Sequence, residues 1–319
     1  MESISYSIII PHKNIPELLV RCVDSIPFRN DVQVVIVDDN SVGAEEYRNR
    51  YPELNKSNVE LVLTKEGKGA GYARNVGLSH ADGRWVLFVD ADDVVSGNIL
   101  ECLDRYNNSE YNFILFKTQC RMSDNLSEYG YRQFMCDNWN KGIDQVLQHE
   151  GDKYEVLSDC DVPWGKMVRK SFLFLHDIRF EETMVSNDVV WSTRVLVNLK
   201  ETEIAFSKDV IYTLTERQGS LYKQQDIKAY CCRFGVFHRK YELMRKAGLG
   251  DYSSFNYPVW FIRAQSMGTK AFVTFTLYVC KNVKNIPPVY NVEGALHFCR
   301  PYFYFLVLTL QTLKRNAKA

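Results

Sequence analysis

Apolar residues in this chain come in short runs that stop at polar groups. Ser5 to Ile10 ends at Pro11, Val32 to Val37 ends at Asp38 and Asp39, and a third run lies around Val59 to Leu63. The fourth, Trp85 to Val89, stops at three carboxylates, Asp90, Asp92 and Asp93. Continuous apolar runs of this length, bounded by turn formers, predict buried strands. Between them the period changes. Pro16 sits in the first turn of a helix that Asn14 can cap, with Leu18, Leu19, Cys22, Val23 and Ile26 at helical spacing. The polar segment AEEYRNRYP reads as helical, and ARNVGLSHADG predicts a helix that Gly83 should end. Strands alternating with helices at this rhythm predict a mostly parallel sheet covered on both faces.

Further along, the pattern gives a helix from Ile99 to Tyr106, a strand from Tyr111 to Lys117, and a variable insertion from Asp124 to Gly151 with some helix near Asp144 to Gln148. A strand, a short helix, a loop and a helix beginning near Asp188 follow, then a strand near Ala205 to Tyr212. From Gln225 to Lys246 and from Tyr257 to Cys280 the chain reads as helical and basic.

In an open α/β sheet, ligands bind beyond the carboxyl ends of the strands, so acids at the ends of two strands mark a site. Three carboxylates as close as Asp90, Asp92 and Asp93 repel one another unless a cation sits among them. An Asp-x-Asp pair offers hard oxygen ligands to Mg²⁺ or Mn²⁺, which bind through one or two carboxylates plus phosphates. Asp93 can instead cap the segment from Gly97 onward. The run Gly67, Gly69, Gly71, with Lys65 and Lys68, fits a phosphate-approaching loop or a plain surface loop; it is neither a P-loop nor the dinucleotide fingerprint. Arg74 can fork onto a phosphate or pair with a surface acid. Asp188 can cap a helix or act as a general base.

Composition adds two points. Nine Cys, an odd number without a Cys-x-x-Cys pair, and six His without zinc spacing predict a reducing compartment. MESISYSIII reads as the start of the fold and not as an export signal. The formal net charge is zero, yet from Lys228 onward 14 Lys and Arg face 3 Asp and Glu, a balance of +11 against −11 in the rest. The ending RPYFYFLVLTLQTLKRNAKA holds an apolar run, Tyr302 to Leu310, about half the roughly 20 residues needed to span a bilayer. Flanked by Arg300, Lys314, Arg315 and Lys318, it fits a helix lying in an anionic membrane interface, or one packed back on its own domain.

Taken together, SIIIPHKN, VVIVDDNS, GYARNVGL, VLFVDADD, WGKMVRKSFL and RFEETMVSND resemble, in order, the family 2 glycosyltransferases, inverting enzymes of the GT-A fold. The resemblance covers roughly the first 220 residues. It implies a Rossmann-like α/β GT-A domain over residues 1–222, with a nucleotide-sugar half at about 1–120 and an acceptor half at about 121–222, and a basic helical region at 223–319. It implies a nucleotide-diphosphate sugar donor, most simply a UDP-sugar, and a saccharide or lipid-linked saccharide acceptor in cell-surface polysaccharide synthesis. Nucleic acid is not an expected partner. Pro11, Asp38, Asp39, Lys68, Arg74, Asn75, Asp90, Ala91 and Arg217 are then the nucleotide-sugar residues, Asp92 holds Mn²⁺ or Mg²⁺, and Asp188 is the base. Gly219 and Ser220 complete an Arg-x-Gly-Ser element with Arg217. Asn187 stands where the family commonly has Glu. The expected place is the cytoplasm, peripherally on the inner face of the membrane. The rival readings are a sugar-phosphate nucleotidyltransferase, which PHKN lacks the glycines for, and a non-catalytic GT-A-like module, whose mark would be loss of Asp92 or Asp188.

Overall fold

A computed structural model describes residues 3–217 and 226–283. The expected elements at Gly219 and Ser220 and at Tyr302 to Leu310, with the basic residues flanking that run, lie outside the described residues. In chain order the elements are β1 (Tyr6–His12), α1 (Pro16–Ser25), β2 (Val32–Asp39), α2 (Tyr47–Arg50), β3 (Val59–Thr64), α3 (Ala70–His80), β4 (Trp85–Phe88) and β5 (Val94–Val95). Then come α4 (Ile99–Asp104), β6 (Phe113–Met122), α5 (Gln133–Leu147), α6 (Lys153–Asp159), β7 (Lys166–Arg169), α7 (Lys170–Leu175), α8 (Val189–Asn198) and β8 (Ile204–Glu216). Three helices follow, α9 (Ile227–Lys246), α10 (Tyr257–Ser266) and α11 (Thr269–Asn282).

All eight strands form one sheet in the order β3-β2-β1-β4-β7-β6-β8-β5. Strands β3, β2, β1 and β4 run parallel, as do β6 and β8, while β7 is antiparallel to both its neighbours. The apolar runs lack alternation because both faces are covered. Ile8, Ile10, Val34 and Ile36 face one core with Leu19, Cys22 and Val23 of α1. Their neighbours Ile9, Val35 and Val37 face the other, with Ala73 and Leu78 of α3 and Trp191, Val195 and Leu196 of α8. The period of two therefore sorts residues between two cores and not between core and water. The C-terminal helices build a small core of their own around Phe234 and Phe275, and Val236 packs on Val189 and Val190 of α8. No helix of the described residues is long and apolar enough to cross a membrane.

Several local expectations change. Asn14 does not cap α1: Ile15 holds that position, and the Asn14 Oδ1 accepts from the Val42 N–H at 3.0 Å. Helix α3 ends at His80 with Ala81 extended, so Gly83 is not its terminator. A side chain at Gly83 would lie 2.5 Å from the Ser7 nitrogen, so the glycine serves close passage over β1. The insertion holds a 15-residue helix, α5, far longer than the Asp144 to Gln148 stretch. Asn138, Asn140 and Gly142 lower its helix propensity, but Cys136, Ile143 and Val146 are buried, and tertiary packing prevails. Asn140 meanwhile pairs both ways with the Thr118 backbone. The stretch from Tyr257 to Cys280 that reads as helical forms two helices, separated at Gly268, where φ is 103°.

Candidate active site

Parallel pairing of β2, β1 and β4 brings His12, Asp38, Asp39 and the Asp90 turn to one sheet edge. His12 stands opposite Asp38 in register. The His12 Nε2 accepts from the Ile15 N–H at 3.1 Å, which leaves Nδ1 to carry the proton it donates to Asp38 at 2.7 Å. Asp38 also accepts from the Ser41 N–H at 2.7 Å. Burial alone would raise this carboxyl, but these bonds outweigh it and hold it below the usual range. Asp38 is thus enclosed and fixes the loop. Asp39 is the member of the pair with an oxygen to offer. Its Oδ2 takes the Gly69 N–H at 2.8 Å and Lys13 Nζ at 3.4 Å, while its buried Oδ1 has no partner. Pro11 is buried within β1, and Lys68 is exposed with its Nζ 4.8 Å over the Tyr72 ring.

The three acids after β4 divide. Asp93 is fully enclosed, accepting from the Thr215 N–H at 2.6 Å and from the Tyr212 hydroxyl. It therefore does not cap the segment from Gly97 but fastens β8 to the acid turn. Burial, then the charges of Asp92 and Asp90, push its carboxyl well up. The Tyr212 hydroxyl also accepts the Asp90 N–H at 3.2 Å, and its ring stacks on Trp164 at 4.9 Å. Ala91 is buried beneath the turn. Asp92 remains partly exposed, with Arg217 at 3.8 Å. Burial and the neighbouring Asp90 raise its carboxyl, and Arg217 opposes them.

Arg74 closes the other side. From α3 its Nη2 donates to Asp90 at 2.6 Å and its Nη1 to the Asn187 side chain at 2.7 Å, with Phe180 under the guanidinium at 5.3 Å. Approach this close depends on Gly71, where a Cβ would come within 2.1 Å of the Glu181 carbonyl. Asn75 does not reach the acids. Its amide clasps the Phe180 backbone in both directions, at 2.9 and 2.8 Å, and so holds the same loop. Asp188 stands at the start of α8 but makes no side-chain cap bond, which leaves its carboxylate available. Burial raises it, and Arg74 pulls it back. Beneath α8, buried Lys166 donates to the Cys160 carbonyl at 2.6 Å and to the Ser192 hydroxyl at 3.0 Å.

The structure thus gathers Arg74, Asp90, Asp92, Asp188 and Arg217 at one edge, with Asp39 along it. Sequence reading missed Arg21, which donates to the Asp92 carbonyl at 2.5 Å, and Tyr212. Neither carries a local signal: Arg21 lies on an ordinary amphipathic helix and Tyr212 within an apolar strand. The oxygen donors suit a hard divalent cation: Asp92 is partly exposed, repelled by Asp90 and only distantly met by Arg217, while Asp90 is already paired with Arg74. Among the described residues no group of three His, Cys, Asp or Glu is placed to hold a metal ion by itself.

A partly parallel sheet between helical layers, with acids at its carboxyl edge and C-terminal helices beyond, is the GT-A architecture of glycosyltransferases. The chain belongs to glycosyl transferase family 2, whose model matches residues 7–169. It is 22% identical over 300 residues to a cholesterol galactosyltransferase of Borreliella burgdorferi, covering 86% of this chain and 78% of that protein. It is 32% identical over 243 residues to the minor teichoic acid biosynthesis protein GgaB of Bacillus subtilis, covering 70% of this chain but 24% of that one. The crystal structure of S. aureus TarS 1-349 in complex with UDP-GlcNAc aligns with a TM-score of 0.65 at 18% identity, over 98% of this chain and 92% of that one. Family membership removes the nucleotidyltransferase reading.

Proposed function

We propose that the enzyme is an inverting glycosyltransferase that moves a hexosyl unit from a UDP-sugar to a hydroxyl of a saccharide or lipid-linked saccharide. The observation that carries this reading is the Arg74 bridge, which ties the Asp90 turn of β4 to Asn187, next to Asp188, across one cleft. Donor chemistry then belongs on the Asp90–Asp92 side and acceptor chemistry on the Asp188 side. Asp39 offers its unpartnered Oδ1 to a nucleobase or ribose donor group. Asp92 would hold a divalent cation, with Asp90 beside it on the nucleotide-sugar side, and the ion when bound supplies positive charge to the leaving diphosphate. Arg217, beside Asp92, adds a second positive group there. Asp188 takes the proton of the acceptor hydroxyl as its oxygen attacks the anomeric carbon from the face opposite the leaving group, and inversion follows. The relatives' printed names, a cholesterol galactosyltransferase and a minor teichoic acid biosynthesis protein, support an acceptor among cell-surface glycans or glycolipids.

A donor-hydrolysis screen with UDP-, GDP- and dTDP-sugars, with and without Mn²⁺, tests the reading. Turnover of a UDP-sugar that falls on chelation is expected; no turnover of any donor in either condition would sink it.

The +11 balance from Lys228 onward supports a second element of the proposal, docking of residues 223–319 on an anionic membrane that presents the acceptor. In liposome flotation the full chain should bind anionic but not neutral vesicles, and a chain cut after Arg300 should not. Equal behaviour of the two chains would refute it.

A further inference from the structure

From the loop after β6 into the first turn of α5, four large apolar side chains stand in solvent within nine residues: Leu126 is 43% exposed, Tyr129 65%, Tyr131 84% and Phe134 65%. No other stretch of the described residues exposes so many in so short a span. Clustered exposed rings of this kind mark an interaction surface more often than a packing accident.

This loop is pinned at both ends to the site. At its start, Arg21 donates through Nη1 to the Ser123 carbonyl at 2.7 Å and to its hydroxyl at 3.1 Å. Through Nη2 the same side chain donates to the Asp92 carbonyl at 2.5 Å and the Thr215 hydroxyl at 3.0 Å. The Ser123 N–H also donates to the Glu216 carbonyl at 2.8 Å. At the far end, Arg132 donates to the Glu216 carboxylate from its backbone nitrogen at 3.0 Å and from Nε at 2.5 Å. Glu216 is the residue before Arg217, the partner of Asp92. Tyr129 bridges back to Arg121, whose guanidinium lies 4.0 Å over its ring. The rings are therefore carried at the rim of the Asp92 site.

We propose that Tyr129, Tyr131 and Phe134 form a stacking platform for an uncharged saccharide acceptor, an inference that rests on the transferase reading above. A pyranose ring has a flat face of C–H bonds that packs on an aromatic ring while its hydroxyls stay in water. Tyrosine and phenylalanine give large contact area with only two side-chain torsions to freeze, so ordering them costs little. Local charge selects the ligand. From Arg121 to Asp137 two arginines face three acids, and Arg132 is committed to Glu216. A segment without excess positive charge has little to hold a polyphosphate chain or an anionic bilayer, and leaves a neutral glycan as the partner that fits.

The test compares the full-length protein with the double variant Tyr131→Ala/Phe134→Ala on three probes. These are an array of uncharged oligosaccharides ending in glucose, galactose or N-acetylglucosamine, a phosphodiester-linked polyol, and anionic vesicles. UDP binding by calorimetry is measured beside them. The wild type should retain uncharged oligosaccharides, the variant should bind them on the order of tenfold more weakly or worse, and both should bind UDP equally. The platform is overturned if the wild type retains no uncharged oligosaccharide, or if the variant retains them unchanged. It is equally overturned if the variant's loss falls on the vesicles or the phosphodiester polymer instead. Absence of UDP binding in the wild type would count against the transferase reading, while the array still judges the platform.

Discussion

Replacing Asp188 by asparagine should lower sugar transfer by about 10²- to 10⁴-fold, the usual contribution of a general base, while donor binding stays as in the wild type. The variant should also be at least as stable at neutral pH. Asp188 makes no side-chain cap bond, so the amide takes nothing from α8. The fold raises this carboxyl, chiefly by burial, which means the folded state holds its proton more tightly than the unfolded chain does. Its contribution to stability is thus present at low pH and lost as pH rises, so a neutral amide relieves a cost at pH 7. Catalysis runs the other way. A base must be ionised, so transfer should fall as pH drops, and this limb should lie above the ordinary carboxylate range and vanish in the variant. A lowered melting temperature together with weakened donor binding would assign Asp188 a structural role instead.

Asp92→Asn should reduce transfer by roughly a hundredfold or more, since charge neutralisation at a leaving group contributes several kcal/mol. Donor affinity in the presence of Mn²⁺ should fall with it, and the remaining rate should no longer respond to chelator. In the folded protein Asp92 is held up by burial and by Asp90, and Arg217 is the opposing group, so the amide removes one of two repelling charges. The fold should tolerate it. Wild-type turnover with an unchanged response to chelator would overturn the assignment of the ion to Asp92.

The sheet edge was legible because acids that end apolar runs announce strand termini, and parallel pairing then aligns those termini without further information. Asp38, Asp39 and the Asp90 turn fall together for that reason. What local pattern cannot show is which of two adjacent acids faces outward. Asp38 is sealed by His12 and Ser41, and Asp93 by Tyr212 and Thr215, while their neighbours Asp39 and Asp92 keep oxygens to offer. Asn75 shows the same limit: it belongs to the GYARNVGL motif yet works on the Phe180 backbone. Arg21 was out of reach altogether, because its partners Ser123 and Thr215 lie 102 and 194 residues away. Helix α5 was missed through its own composition, since only the surface it packs against makes Asn140 and Gly142 acceptable in a helix.

The seal on Asp93 also sets a clock for synthesis. Tyr212 follows Asp93 by 119 residues and Thr215 follows it by 122. At roughly 5–20 residues per second, a ribosome delivers this partner strand on the order of ten seconds after the acids it must hold. Through that interval the growing polypeptide displays three neighbouring carboxylates with their rear wall missing, and Arg21 lacks one of the groups that tether it to the Asp92 turn. The acid turn is therefore incomplete until β8 has been made. A message truncated before Ile204 would encode every motif from SIIIPHKN to RFEETMVSND and yet lack Tyr212, Thr215 and Arg217, the groups that close on Asp93 and Asp92.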